Sequence, residues 1–580
     1  MKKIMLYIHL MLLFTPAIRA EKYPVDGIPE ELLENAKAVV RKEVLSFSLN
    51  EDFTATQKEH KVITVLNENG YRQAVLVYFY DKFRKIKSID GAIYNAEGEE
   101  IEKIKSIDIL DVSAVSNFSI YEDNRIKAYQ PNVRTYPFTI EYELEIKHDG
   151  VFNFPIWHVF KDYNVSTEKS YYSIEVPESM NLNYYSTQTG LEPEVIKSEG
   201  KVQHKWKYFN FKSIEPEDFS TNILNNTPAV YMATDKFELE GVEGSLESWQ
   251  SLGEWMEELQ KDALNLPEPT IQEIQNLTSE IPDTLDKIAA VYKYMQDKTR
   301  YVSIQIGIGG WKPFDAATVD RTGYGDCKAL TNYTRALLQA VGIDSYYTVV
   351  RAGKSAVPMI TDFTMNQFNH AILCVPYQKD TIWLECTSQD NPFAYLGTFT
   401  DNRDVLVINE KGQGEIAKTT EYGIKDNRCD RKISINMDPQ GKLHTKISTR
   451  YSGLFFEDVR NKLLNPGPDA EKELYENLPL SNFIINNSNY KLLNESKPLV
   501  QEDLDLEVNG YMQVMGTRRF FSPNMLNKLI KTPSEEEDRR SEVFIRRSYM
   551  ENDTVILHLA DGLIPEAIPE NTSITSDFGH

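Results

Sequence analysis

The residue best placed for chemistry in this sequence is Cys327, which follows Gly325 and Asp326 and opens a segment with helical spacing. One face of that predicted helix carries Leu330, Thr334, Leu337, Leu338 and Val341, and Gly342 follows it. Asp326 is a predicted N-cap. In the first turn of a helix, unpaired N–H groups and the helix dipole stabilise an anion, so Cys327 would be held there as a nucleophilic thiolate. For one cysteine viewed alone, a small buried residue at a helix start is the alternative interpretation.

A cysteine nucleophile needs a base to share its proton, and the base needs a third group to orient it. The sequence contains nine histidines, of which only His370 lies downstream of Cys327 within the same predicted domain. The surrounding residues QFNHAILCV place His370 at the start of a predicted strand. A lone histidine on a strand is usually structural. A catalytic role for His370 therefore depends on whether the next strand supplies an acid to orient it.

That next strand, TIWLEC, carries the candidate acid. A short polar turn at residues 376–379 joins it to the strand of His370. A loop centred on Tyr377 and Gln378 would pair His370 directly with Glu385. Because directly opposed side chains have Cβ atoms about 5 Å apart, the Glu385 carboxylate would orient the imidazole and stabilise the imidazolium. In this register Cys386 faces the other side of the sheet.

The 580 residues are too many for one hydrophobic core. From about residue 47 to 211, short strands separated by turns predict an antiparallel sandwich, with one hairpin turn at residues 67–70. Helical patterns begin after residue 240, and a strand pattern returns near residue 408. The predicted units are a signal peptide (1–20), an N-terminal β-sandwich domain (21–240), a central α+β core domain (241–407) and a C-terminal, mostly-β domain (408–580).

The first 20 residues, MKKIMLYIHLMLLFTPAIRA, have a basic start, a short apolar run and small residues before a predicted cleavage site. This pattern predicts a cleaved bacterial Sec-type signal peptide, and therefore a periplasmic or secreted protein. No later stretch is apolar enough to span a membrane. The chain has four cysteines, which are few for a disulfide scaffold, and we expect no disulfide at Cys327.

Composition narrows the classes of partner. The formal net charge of −24 argues against nucleic acid and anionic membrane surfaces. Histidine, cysteine and acidic residues show no metal-ligand spacing, so no metal and no cofactor are expected. The many Tyr and Phe residues of the N-terminal strands indicate either cross-strand packing, which we favour, or a face that binds carbohydrate or peptide.

Three short motifs resemble one known family. GDCK around Cys327, FNH around His370 and WLECTS around Glu385 follow the Cys, His, acid order of the bacterial exported transglutaminase-like family. IEYELEI followed by WHVFKDYNVSTEKSYYSIEVP resembles the N-terminal β domain of unknown function that often precedes this core. The resemblance implies a transglutaminase-like (papain-like) α+β core in which these three residues form a catalytic triad. The family usually has Asp, in L-D-P-T, where this chain has Glu385, whose side chain is one methylene longer.

The function expected from this resemblance is thiol acyl transfer. Cys327 would attack a protein or peptide amide, His370 would move the proton, and the thioester would pass to an amine or to water. Cell-wall peptide is one candidate substrate. The N–H of Cys327 is the first expected oxyanion donor, and Tyr301, Gln305 and Trp311 are candidates for the second. The alternative is a non-catalytic binding or assembly module, in which the core is a scaffold and the β domains bind peptide or glycan.

Overall fold

The computed structural model describes residues 22–114, 119–122, 124–305, 307–494, 497–528 and 539–580. The predicted signal peptide lies outside the described residues. The chain is a multidomain α+β protein with large β-sheets in its N- and C-terminal parts and helices in its centre, which confirms the predicted fold class. The predicted domain boundaries stay predictions.

The N-terminal part is built from strands. They are β1 (Ala38–Leu49), β2 (Thr54–Val65), β3 (Leu76–Tyr80), β4 (Arg84–Tyr94), β5 (Glu100–Ile104), β6 (Leu110–Ser113), β7 (Ser119–Glu122), β8 (Arg125–Tyr129), β9 (Phe138–Asp149), β10 (Trp157–His158), β11 (Val165–Pro177), β12 (Leu182–Ser186), β13 (Glu194–Ser198), β14 (Lys201–Phe211), β15 (Ala229–Thr234), β16 (Lys236–Leu239) and β17 (Val242–Ser245). Eight of them form one sheet in the order β13-β14-β11-β1-β2-β9-β4-β5. Its neighbours are antiparallel except β1 and β11, which are parallel.

Two three-stranded sheets cover the eight-stranded sheet and make this part a sandwich. The sheet β10-β15-β12 packs on one half, where Phe47 and Trp206 meet Val230 in a buried cluster. The sheet β3-β8-β6 covers the other half, where Ile140 meets Tyr129. Alternating apolar residues along each strand supply these two cores, as expected for sheets that face each other.

The hairpin predicted at residues 67–70 is wrong. Strand β2 pairs with β1 and β9, whereas β3 pairs with β8, and a 3₁₀ helix at Glu68–Ala74 lies between them. A Cβ atom at Gly70 would lie 2.1 Å from the carbonyl oxygen of Lys37. Glycine is therefore required at this position for the close approach of two backbone segments, and not for a hairpin turn.

The central part combines helices with a five-stranded sheet. Its helices are α1 (Trp249–Gln260), α2 (Glu268–Thr278), α3 (Thr284–Lys298), α4 (Ala316–Thr322), α5 (Cys327–Ala340) and α6 (Gly397–Thr400). Its strands are β18 (Arg300–Tyr301), β19 (Ser303–Gln305), β20 (Tyr324–Gly325), β21 (Tyr346–Val350), β22 (His370–Tyr377), β23 (Asp380–Leu384), β24 (Asp404–Ile408) and β25 (Gly414–Lys418). An antiparallel sheet of order β23-β22-β21-β24-β25 forms one layer, and α5 packs on β22.

Helix α5 is the centre of this part, because its apolar face is fully enclosed. Leu330, Leu337 and Leu338 are buried against α2, α3, α4 and the sheet, as the helical spacing predicts. The N-terminal part packs on the same region. Tyr231 of β15 lies with Cys327 in one buried cluster, hereafter the joint core.

The C-terminal part is another five-stranded sheet with two helices. Its strands are β26 (Arg428–Met437), β27 (Leu443–Ser452), β28 (Phe483–Asn494), β29 (Leu499–Val508), β30 (Gln513–Met515), β31 (Arg518–Phe520) and β32 (Met550–His558), and its helices are α7 (Phe456–Leu464) and α8 (Pro468–Asn477). Five strands pair in the order β28-β29-β27-β26-β32, in which only β26 and β32 are parallel neighbours.

Candidate active site

The N-terminus of α5 holds the candidate nucleophile. Cys327 is the first residue of the helix, and the Asp326 carboxylate caps it by accepting a hydrogen bond of 3.0 Å from the N–H of Ala329. The N-cap prediction is therefore confirmed. Lys328 forms a buried ion pair with the same carboxylate. The residue Cys327 is 7% exposed, and its thiol lies at the end of the helix where unpaired N–H groups are concentrated.

His370 and Glu385 meet beside this thiol. Nε2 of His370 lies 2.9 Å from one Glu385 carboxylate oxygen and 3.2 Å from the other. Both side chains are almost fully buried. Because Glu385 occupies Nε2, Nδ1 is the ring nitrogen left to face the Cys327 sulfur, and the two groups are close enough for each to shift the pKa of the other.

The predicted strand register is wrong, although the His370–Glu385 contact forms. Leu373 pairs with Leu384, and Tyr377 with Asp380, so the turn is centred one residue later than predicted. Glu385 therefore lies diagonally from His370 and not directly opposite. Moving the centre of the turn by one residue moves each residue's cross-strand partner by two positions. The partner therefore stays on the same face of the sheet. Long side chains reach diagonal neighbours, which is why the contact survives the shift.

Three further residues complete the surroundings of the His370–Glu385 pair. The Thr387 hydroxyl and N–H donate to one Glu385 oxygen at 2.6 and 3.1 Å. The Tyr292 hydroxyl donates to the Glu385 carbonyl oxygen at 2.7 Å. The ring of Phe399 meets the imidazole edge-on, with centroids 5.1 Å apart. The sequence analysis missed all three, and only Thr387, two residues after the acid, carried a local signal.

The electrostatics of the site favour a thiolate and an imidazolium. Burial opposes ionisation of Cys327, but the hydrogen bond with His370 and the charge of Lys328 outweigh it and lower the thiol pKa. Burial also opposes protonation of His370, but the Glu385 charge and the hydrogen bond to Cys327 raise its pKa. Glu385 is buried too, and the charge and hydrogen bond of His370 lower its pKa. Each group thus stabilises the charged form of its neighbour.

The other cysteines lie in different surroundings. Cys374, Cys386 and Cys429 are buried, and all four cysteines of the chain are free, so Cys327 forms no disulfide. Cys386 packs in the apolar layer under α5, beside the hydroxyls of Thr331 and Thr334. Its Sγ donates a weak hydrogen bond to the Leu384 carbonyl oxygen at 3.6 Å.

Of the candidates for a second oxyanion donor, Tyr301 packs against the joint core that contains Cys327. Burial, and then the charge of a Cys327 thiolate, raise the pKa of the Tyr301 phenol. The Trp311 indole packs on the joint core and contacts Phe152 edge-on at 4.8 Å. The side chain of Gln305 lies outside the described residues.

One group of possible metal ligands lies far from this site in sequence. His60, Glu141 and Glu143 place one ligand atom each within 4.8 Å of one another. The Glu141 carboxylate already accepts hydrogen bonds from His60 at 2.7 Å and from Lys22 at 2.6 Å. Burial opposes ionisation of Glu141, but these hydrogen bonds lower its pKa to about 2. A lysine that donates to the same carboxylate competes with a cation for it.

Two sequence-family profiles match the ends of the chain. A domain of unknown function, DUF3857, matches residues 51–215, and a second, DUF3858, matches residues 517–580. The first match contains the strands on which the resemblance to an N-terminal β domain of unknown function rests. No curated protein matches the sequence. Within the described part of the chain, every helix is too short or too polar to cross a bilayer.

The structure is similar to a solved bacterial protein called a putative protease, from Parabacteroides distasonis. The two share 14% identity with a TM-score of 0.53, and the alignment covers 84% of this chain and 95% of that one. This likeness shows a common fold. A protein from Cytophaga hutchinsonii called a putative cysteine protease shares 9% identity over 59% of this chain and 78% of that one. Its TM-score of 0.17 is too low to indicate a common fold.

Proposed function

We propose that this protein is a cysteine peptidase or acyltransferase of transglutaminase-like type. The observation that carries the proposal is the connected set of Cys327, His370 and Glu385, with the thiol at the start of α5 and the imidazole bound to the carboxylate at 2.9 Å. The P. distasonis protein of the same fold is called a putative protease, which agrees with this class of reaction.

The reaction follows from the charges of the three groups. The Cys327 thiolate attacks the carbonyl carbon of a peptide amide and forms a tetrahedral intermediate, whose oxyanion is stabilised by the N–H of Cys327 and by the Tyr301 hydroxyl. The His370 imidazolium then protonates the leaving nitrogen, the C–N bond breaks, and a thioester remains. His370, now neutral, takes a proton from an incoming water or amine. That nucleophile displaces the thiol and releases an acid or a new amide.

Glu385 supports both steps without touching the substrate. It fixes the ring orientation of His370 and stabilises the imidazolium, while Thr387 holds the opposite carboxylate oxygen. As part of the proposal, the enzyme acts on protein or peptide, such as cell-wall peptide, outside the cytoplasm. That location rests on the signal-like residues 1–20.

The test compares the wild-type protein with Cys327→Ala. A mixture of synthetic peptides reports hydrolysis by mass spectrometry, and incorporation of a fluorescent primary amine into a casein with blocked lysines reports transfer. Wild-type protein is expected to produce new peptide ends or labelled casein, and Cys327→Ala neither. Equal activity of the two proteins on every amide tested would overturn the proposal. The Cys374→Ala variant, which removes another buried thiol, serves as the matched control.

A further inference from the structure

Arg351 lies next to the candidate site and has no side-chain partner among the residues that the structure describes. Arg351 follows Val350, which ends β21 and pairs directly with His370. From strand geometry, the Cα atoms of Arg351 and His370 are on the order of 6 Å apart. The guanidinium is half-buried, and within the described ranges it makes no hydrogen bond or ion pair. A guanidinium that is partly removed from water and unpaired is unfavourable in the free protein, so a bound anion would compensate it.

The groups around Arg351 can also donate hydrogen bonds. Tyr231 lies close enough for the two to interact electrostatically, and it belongs to the joint core that contains Cys327. The His158 ring meets Tyr231 edge-on, with centroids 5.7 Å apart. In the part of the chain that the structure describes, neither the Tyr231 hydroxyl nor Nδ1 of His158 has a hydrogen-bond partner. Burial and the charge of Lys161 lower the pKa of His158 to about 4, so its neutral ring keeps one N–H at pH 7.

Glu43 and Asp401 are paired with cations other than Arg351. Glu43 pairs with Lys161 at 2.7 Å and accepts from Ser170 at 2.8 Å. Asp401 binds Arg547. Among the described residues, no carboxylate forms an ion pair or a hydrogen bond with the Arg351 guanidinium.

Two further arginines add positive charge on this side of the site. Arg403 donates to the backbone carbonyls of Gly353 and Ala356, and Arg546 donates to that of Lys354. Neither forms an ion pair with a carboxylate among the described residues. In a chain with a net charge of −24, these two arginines thus lie along the segment that follows Arg351.

We propose that Arg351, with the Tyr231 hydroxyl and the His158 ring, binds a carboxylate of the peptide acyl donor. Arg351 would then determine specificity, because it selects acidic peptides over neutral ones at a fixed distance from the reacting carbonyl. This inference rests on the proposed function, since it assigns the substrate class of the same thiol. A guanidinium and a phenol match the planar, two-oxygen acceptor that a carboxylate presents.

The first experiment uses covalent probes that need no known substrate. Bromoacetyl-glycylglycine and its terminal amide differ only in the negative charge, and both alkylate a reactive cysteine. In wild-type protein at pH 6, we expect the acid to modify Cys327 faster than the amide by on the order of tenfold. Arg351→Met should bring the ratio of the acid and amide rates to about one, whereas Arg351→Lys should retain part of the preference. Arg321→Met, which removes an exposed arginine on α4, is the charge control.

A carboxylate on a peptide belongs either to an acidic side chain or to the C-terminal end, and a third probe distinguishes these two sources. Bromoacetyl-glycyl-glutamic acid amide carries the charge on a side chain and none at its end. A preference for this probe alone assigns the site to an internal acidic residue, and a preference for bromoacetyl-glycylglycine alone assigns it to a peptide end. Equal rates for charged and neutral probes, or a preference that survives Arg351→Met, would overturn the inference.

A binding measurement keeps this inference distinct from the proposed function. Calorimetry with Cys327→Ala protein compares acetyl-glycylglycine with its amide, and no thiol chemistry is involved. Tighter binding of the acid that Arg351→Met removes supports the carboxylate site even if Cys327 proves unreactive. Equal binding of acid and amide overturns it even if Cys327 is catalytic. Unfolding temperatures show that the variants are folded, and Arg351→Met should unfold no earlier than wild type, because it removes an unpaired charge.

Discussion

Cys327 is the first residue of α5 and Cys386 packs against the same helix, and both are buried, yet their thiol pKa values are shifted in opposite directions. Burial raises the pKa of Cys386 to about 12, and the hydroxyls of Thr334 and Thr331 oppose this only in part. At Cys327 the same effect of burial is overcome by His370 and Lys328, and the pKa falls. Depth in the protein is therefore a poor guide to thiol reactivity. A cationic partner at a helix N-terminus makes the difference.

The remaining two cysteines resemble Cys386 in having a raised thiol pKa. Burial raises the pKa of Cys374 and of Cys429 to about 12 in each case. Neither has an imidazole beside it among the groups that shift its pKa. The chain therefore contains three matched controls for its one activated thiol, which makes the contrast directly measurable.

The largest expected effect is the contrast itself. Iodoacetamide at pH 6 should alkylate Cys327 and leave Cys386 unmodified in folded protein, as read by peptide mass spectrometry. Because the Cys327 pKa is lowered, its rate should persist as pH falls below about 8.5, the value for an ordinary thiol, and decline only as pH falls through the lowered pKa. Cys386 should stay protonated until pH approaches 12.

His370→Asn should make Cys327 behave like Cys386. With the imidazole gone, burial dominates the thiol pKa, and the alkylation rate at pH 6 should fall by at least about 100-fold, since each pKa unit changes the thiolate fraction tenfold. His204→Asn, on β14, is the control. An unchanged rate in His370→Asn would show that Lys328 or the helix, and not the imidazole, activates the thiol.

A smaller effect is expected at Glu385. Glu385→Gln keeps the shape but removes the charge that raises the His370 pKa, and amide turnover should fall by about 10- to 1000-fold. Glu385→Asp keeps the charge but is shorter by one methylene, so its loss should be smaller. Both are measured as kcat/KM on a peptide that wild type hydrolyses. Wild-type turnover in Glu385→Gln would mean that another residue orients the imidazole.

The sequence was sufficient to predict α5 and its first residue, because a 3.6-residue period and an aspartate cap are local signals. It was also sufficient to bring His370 and Glu385 to one face, since alternation along a strand survives a two-residue shift. It was not sufficient for the register. Gln378, at the turn, adopts a left-handed φ of 56°, which glutamine rarely signals.

Contacts distant in sequence were the other limit. Residues 67–70 have the composition of a hairpin turn, yet the close approach of the Lys37 backbone determines the role of Gly70. Phe399 reaches His370 from a segment beyond the next strand, and no spacing indicates that contact. Arg351 was overlooked for a related reason. A charged residue after a strand usually faces water, and only the packed structure shows that this one is half-buried and has no ion-pair partner in the described part of the chain.

The difference in pKa between Cys327 and Cys386 also depends on Lys328, which is the second cation near Cys327. Lys328→Met removes its charge, and the alkylation rate of Cys327 at pH 6 should fall by about tenfold or less, since Asp326 offsets most of the lysine's field. The variant also leaves Asp326 buried and unpaired. The double variant Asp326→Asn, Lys328→Met therefore tests whether any loss reflects charge or a disturbed helix start. A loss larger than that of His370→Asn would reverse the ranking of the two cations.

The smallest effect is expected at Cys386. It packs under α5 within two turns of the nucleophile, so a change there tests whether proximity to the helix is enough to affect Cys327. Cys386→Ala removes one buried sulfur and should lower the free energy of unfolding by about 1 to 2 kcal/mol, through lost packing. The alkylation rate of Cys327 at pH 6 should stay within about twofold of wild type, because no charge or hydrogen bond of the thiolate changes. Denaturant unfolding and alkylation kinetics on the same preparation measure the two quantities. A loss of reactivity as large as that of His370→Asn would show that the packing of α5, and not the imidazole, controls the thiol.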